Sequence, residues 1–326
     1  MADQTQRNAL EGGAALVTSV AGLALGWIGY SALRVNHHVP LSPAIDAERR
    51  AFVDRHGRLL TYYADTSGTG HPLVLVHSIN AAGSAFEMRP LFDFYRGKRP
   101  VYALDLPGFG FSDRADRDYS PEVFAHAILD LLHEIDGPAD VVALSLSSEF
   151  AARAALDAPD KISSLAFISP TGLQADPRED PGNDRALAML SFPLWSQAIY
   201  DALVTRAGIR YYLKKSFAGP VDEGMVDYAY TTTHQPGARY APLSFVTGML
   251  FTPDAVSTLY ERLTVPVLVL YDEDAFTSFE RLPDLLERCP NWNAQRITPT
   301  RGLPQFEQIA DVTHVLDHFW TAQFPL

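Results

Sequence analysis

Apolar residues fall into short runs bounded by turn-forming residues over most of the chain. Residues 72–77 (PLVLVH), 100–104 (PVYAL), 139–144 (ADVVAL), 162–168 (ISSLAFI) and 265–271 (VPVLVLY) are predominantly apolar and of strand length. Hydrophobicity that runs on, without alternating, is the pattern of strands buried on both faces. Helical spacing appears between them, at 87–95, 121–135, 147–156, 279–287 and 306–320. Ser120 and Pro121 form a helix start, because proline is pre-organised for a first turn that needs no N–H. A further strand is expected at 294–298, and 50–54 and 59–64 flank Gly57 as a hairpin. Strands alternating with helices predict an α/β protein with a doubly wound, mostly parallel sheet.

Two stretches break this rhythm. Residues 171–258 contain helical segments at 185–190, 194–205 and 221–231 and no buried strand. They predict a helical cap over the carboxyl ends of the strands, where α/β sheets place their ligand sites. The core is then expected over 45–170 and 259–326. The other break is residues 14–33 (AALVTSVAGLALGWIGYSAL), which carry no charge. As a helix they would span about 30 Å, the thickness of a bilayer's hydrocarbon core, with Trp27 and Tyr30 towards one end. The segment 1–38 is read as a transmembrane or membrane-anchor helix of undetermined orientation. A helix packed on the domain or on a partner chain and a signal peptide are the alternatives. Gly22 and Gly26 stand at GxxxG spacing, which leaves the helix open to a protein partner. Residues 39–44, with Pro40 and Pro43, read as a linker.

Composition narrows the function. A net charge of −13 argues against nucleic acid as a partner. One cysteine, Cys289, rules out an intrachain disulfide and a cysteine-based metal site. No His/Cys/acid cluster has ligand spacing, so neither metal nor cofactor is expected.

The candidate chemistry sits at VVALSLSSEF, residues 141–150. A strand that turns into a helix with Ser145 at the bend has the shape of a nucleophile elbow, usually G-x-S-x-G because only small neighbours fit around the strained serine. Here Ala143 and Ser147 take the small positions.

Three further strings join the elbow in the order of the α/β-hydrolase fold family, which the chain resembles from about Arg50 to its end. LVLVHSIN (73–80) is similar to the family's strand ending in His-Gly, here His77-Ser78. DLPGFGFSD (105–113) closely matches its D-x-P-G-x-G-x-S-D loop. VPVLVLYDEDAFTSF (265–279) resembles its acid strand and loop, with Asp274 in the acid's place. The resemblance implies Ser145 as nucleophile, Asp274 as orienting acid, and the amides of Leu146 and Ile79 as oxyanion donors. His77 is expected to support its loop. Dehalogenases and epoxide hydrolases match less well, because those relatives carry aspartate where Ser145 stands.

The family's histidine lies in strings like G-H-x-P-x-x-E. The corresponding stretch, residues 300–307 (TRGLPQFE), puts Gly302 in that slot. His314 and His318 fall past it, on the last helix. His234, in TTTHQPGARY, is the cap's candidate base. Arg301, beside the slot, is expected to pair with Asp274. The sequence therefore supports two readings. One is a membrane-tethered serine hydrolase acting on a small apolar ester or thioester. The other is a catalytically silent hydrolase fold serving as a membrane-associated binding or assembly subunit.

Overall fold

The computed structural model describes residues 22–323. β1 (Glu48–Val53) and β2 (Leu59–Asp65) form the expected hairpin, with Gly57 at φ 72° in its turn. β3 (Leu73–Val76), β4 (Val101–Asp105), β5 (Ala139–Leu144) and β6 (Ile162–Ile168) follow, then β7 (Val267–Glu273) and β8 (Trp292–Arg301). The eight strands make one sheet in the order β1-β2-β4-β3-β5-β6-β7-β8. β1 and β2 pair antiparallel and β2 meets β4 antiparallel, whereas every pairing from β4 to β8 is parallel. Every residue of β3 and β5 is buried, as their apolar runs require.

Alternate residues of the central strands feed two cores. Val74, Val76, Val141 and Ala143 pack with α3 (Pro121–Glu134) and α4 (Ser147–Asp157). Leu73, Leu75, Val142 and Leu144 pack with α2 (Arg89–Tyr95) and with α13 (Ile309–Gln323). The single helix expected over 306–320 is two, α12 (Pro304–Glu307) and α13. The chain between them breaks at Gln308, whose φ of −137° is not helical. α11 (Leu282–Arg288) covers β7 and β8.

Between β6 and β7 the described chain holds α5 (Asp184–Leu190), α6 (Ser196–Leu203), α7 (Arg206–Ser216), α8 (Glu223–Thr233), α9 (Tyr240–Val246) and α10 (Ala255–Thr258), and no strand. Arg114, in the loop after β4, ties this insertion to the sheet through Thr232 of α8. Of the apolar run 14–33, residues 14–21 lie outside the described residues. From residue 22 a helix, α1 (22–34), runs along α6. No helix among the described residues is long and apolar enough to cross a membrane.

Candidate functional site

Two residues separate β5 from α4, and Ser145 occupies the first of them at φ 55°. This left-handed conformation costs a residue with a Cβ about 1–2 kcal/mol, so the surroundings must hold it. Its N–H bonds Ile168 O at 2.8 Å, extending the β5–β6 ladder one step, while its carbonyl accepts Ser148 N at 3.0 Å and starts the helix. The chain is thus fixed on both sides of the bend. Ala143 and Ser147 are fully buried around it, and larger side chains would not fit.

Ser147, where the family pattern has glycine, does more than fit. Its hydroxyl donates to His77 O at 2.5 Å and ties the elbow to the loop after β3. That loop is braced from several sides. His77 Nδ1–H donates to Ser78 O (2.7 Å), and its Nε2 accepts Leu106 N (3.0 Å), which fixes the tautomer. Burial pushes this imidazole down to about 4, so it is neutral. Glu87 accepts Ser78 N and Asn80 Nδ2, each at 2.8 Å, and burial pushes its carboxyl up to about 7. Gln305 donates to the Glu87 carbonyl at 3.0 Å and joins the loop to the turn after β8. Within this frame neither the Ile79 nor the Leu146 amide has an acceptor among the described residues.

The loop 105–113 has a structural reason for its glycines. A Cβ on Gly110, at φ 53°, would lie within 1.9 Å of the Asp105 carboxyl, so only glycine lets the chain wrap that buried group. Asp105 accepts Ala85 N and Phe111 N at 3.0 Å each.

Asp274 follows β7. Its carboxylate accepts Phe276 N at 2.7 Å and lies near the Thr277 amide and the Ser169 hydroxyl, while burial raises its pKa. Ser169, at φ 44°, ends β6 and donates its N–H to Leu270 O, so strained serines end two neighbouring strands beside the acid loop. Gly302, at φ 73°, closes against the carboxylate: a Cβ built on it would stand 2.9 Å from Asp274 Oδ2. Arg301 does not pair with Asp274 as expected. Its Nη2 lies 3.5 Å from Glu273 Oε2, because Asp274 turns inward to its loop amides whereas the exposed Glu273 carboxylate faces solvent. The neighbouring Asp272 is buried, bonding Arg296 Nε (2.6 Å) and Thr300 N (2.8 Å).

His234 closes α8. Its ring is buried, donates to Tyr230 O at 2.7 Å and stacks on Tyr230 with centroids 4.0 Å apart. Burial lowers its pKa. None of its contacts among the described residues is with Ser145. His314 and His318 are exposed on α13. A cavity of about 410 Å³ opens beside the acid loop, between Glu149, Arg178, Phe251 and Phe276; neither Ser145 nor Asp274 lines it.

The parts that sequence reasoning missed are the braces: Ser147, Glu87, Asn80 and Ser169. The apolar run before Ser145 marked the elbow, but no local pattern marks a carboxylate whose partner lies nine residues away.

No curated protein matches the chain at the level of sequence. Solved structures match its fold. A serine hydrolase involved in carbazole degradation superposes with a TM-score of 0.68 at 17% identity, covering 84% of this chain and 99% of that one. A thermophilic esterase from Thermogutta terrifontis gives 0.64 at 18% identity, covering 85% and 99%. A bacterial membrane phospholipase A gives 0.66 at 15% identity, covering 98% and 100%. The sequence profile described as the alpha/beta hydrolase family matches residues 73–322, from β3 almost to the end of α13. The chain belongs to the alpha/beta hydrolase family.

Proposed function

We propose that this is a serine hydrolase of apolar carboxylic esters or thioesters, with Ser145 as nucleophile and the Leu146 and Ile79 amides as oxyanion donors. One observation carries the reading: Ser145 is held at φ 55° between two loops whose amides at 79 and 146 have no acceptor among the described residues. Holding a strained serine and two free donors in place is what acyl transfer needs, since the donors stabilise charge that appears only in the transition state. Removing one such donor typically raises the barrier by about 3–4 kcal/mol.

Asp274 takes the acid's place and Gly302 the histidine's, which leaves Asp274 bonded to its own loop with no imidazole to orient. This narrows the substrate. Ser145 Oγ attacks the acyl carbon as its proton passes to water, and the bond to the leaving group breaks; a second water then attacks the acyl-serine, releasing the carboxylic acid and restoring the Ser145 hydroxyl. Without a general acid the leaving group must depart as an anion. Thiolates, with a parent thiol pKa of about 8.5, do this far more readily than alkoxides. Thioesters and aryl esters are therefore favoured over alkyl esters. His234 is the remaining candidate base, and in that role its ring would have to exchange its bond to Tyr230 for one to Ser145.

A membrane contact through the N-terminal apolar run, with its α1 part lying along α6 and leucines of that part turned outward, completes the reading by holding the enzyme where apolar acyl compounds collect. Leu23, Leu25 and Leu33 of α1, all more than 60% exposed, support it, as does the uncharged run before them. The second reading, a silent fold that binds an acyl ligand without turnover, draws its support from Gly302.

A fluorophosphonate probe on the full chain in detergent separates the two. Labelling that Ser145→Ala abolishes supports the hydrolase, and no labelling of the parent protein favours the silent fold. If His234→Gln abolishes labelling as completely as Ser145→Ala, the base is His234.

A further inference from the structure

The oxyanion loop is held from outside the sheet as well as from within. Tyr200, in the middle of α6 and 1% exposed, donates its hydroxyl to Ala81 O at 2.7 Å, two residues beyond Ile79. Burial raises its pKa, so the phenol keeps its proton and stays a donor. Tyr200 also packs with Val226 and Ala229 of α8 in a small apolar cluster against which Ala81 and Ala82 lie.

The next residue, Asp201, faces the other way, since successive helical side chains diverge by about 100°. Its carboxylate is buried and accepts three donors. Ser31 Oγ reaches Oδ2 at 2.6 Å, His37 Nε2 lies 2.9 Å from Oδ2 and 3.1 Å from Oδ1, and Gln197 Nε2 reaches Oδ1 at 2.8 Å. Two of the three come from α1 and the segment just after it. Trp27 Nε1 adds a bond to Ala198 O at 2.7 Å. Trp27 with Ala198 and Ser31 with Asp201 place α1 parallel to α6 in register, so α6 lies between α1 and the oxyanion loop.

We propose that α1 is a positioning element for the candidate active site: seated on Asp201, it fixes α6, and Tyr200 carries that position to Ala81 and the Ile79 amide. The proposal rests on reading Ile79 as an oxyanion donor. Its physical basis is the restraint that α1 places on α6: Ser31, His37 and Trp27 hold Asp201 and Ala198 on one face of the helix. With α1 lifted away, Asp201 keeps only Gln197 and is hydrated along the vacated face, so α6 loses the bonds that fix its rotation and position. Freer movement of α6 weakens the bond from Tyr200 to Ala81, because Tyr200 and Asp201 are adjacent residues of that one helix. Whatever pulls on the N-terminal segment is then read at the site.

The test uses the full chain in detergent with two readouts, amide hydrogen exchange of residues 78–83 and the rate of fluorophosphonate labelling. Ser31→Ala/His37→Gln acts from the α1 side and Tyr200→Phe cuts the link alone. Both variants are expected to speed exchange at 78–83 about tenfold and to slow labelling by a similar factor, since each removes one restraint on local opening. Tyr200→Phe should leave exchange in 22–34 unchanged, and adding it to the double variant should cause no further loss. The proposal is overturned if the double variant frees 22–34 while 78–83 exchanges as in the parent. It is equally overturned if Tyr200→Phe leaves both readouts unchanged, which also decides the matter should the double variant not fold. A parent protein that takes no label removes the hydrolase reading, and exchange alone then judges the coupling.

Discussion

Gly302 shows how one residue governs the surroundings of Asp274. Its backbone is in the left-handed region at φ 73°, and a Cβ there would press on Asp274 Oδ2 at 2.9 Å. Gly302→Ala should therefore lower the free energy of unfolding by about 1–2 kcal/mol from conformation alone, checked by urea denaturation. Gly302→His is expected not to raise the labelling rate of Ser145. An imidazole at this φ starts from a Cβ already touching the carboxylate it would have to bridge from, so the backbone would have to change as well. The bend at Ser145 and the loop that holds Asp274 were legible in the sequence, because a strand-to-helix turn and the end of a buried strand each have a local string. Tyr200 and Asp201 were not. Their partners lie 119 and 170 residues away, and nothing in a helix reading SQAIYDAL announces them.

Among the elements, the parallel strands could be read because burial on both faces leaves an unbroken apolar run, as in β3 and β5. α7 could not, since RAGIRYYLKKS buries Ile209 alone and so lacks the apolar stripe that marks a helix in sequence. α4 holds the most consequential join between elements. Its first residue, Ser147, bonds the loop after β3 through His77 O, so the elbow and that loop are tied together. Ser147→Gly matches the family consensus yet should destabilise the protein. The hydrogen bond contributes about 1 kcal/mol and leaves a buried carbonyl unsatisfied, and glycine at a helix start adds a few tenths. A lower denaturation midpoint with unchanged slope checks this.

At the scale of the molecule, two buried groups that brace the loop after β3 set opposing pH dependences. Glu87 releases its proton near 4.5 when unfolded but only at about 7 when folded. Between these values the folded state holds more protons than the unfolded chain, so stability falls as pH rises through the window. His77 behaves in reverse. Its imidazole is neutral above about 4 in the fold but protonated up to 6.5 in the unfolded chain, so stability rises over that range. The two slopes overlap from about 4.5 to 6.5 and offset each other, each worth about 1.4 kcal/mol per pH unit. The buried carboxyls of Asp105, Glu149 and Asp274 are also raised and add to the Glu87 side. Comparing the parent with Glu87→Gln isolates one term, because every other group is common to both. The variant should gain on the parent by about 3 kcal/mol between pH 4.5 and 7, with a flat difference on either side. Urea unfolding at half-unit steps of pH (about five per window) measures it directly. A difference that stays flat across the window would mean that Glu87 holds Ser78 and Asn80 without titrating there, and the loop's pH response would then lie with His77.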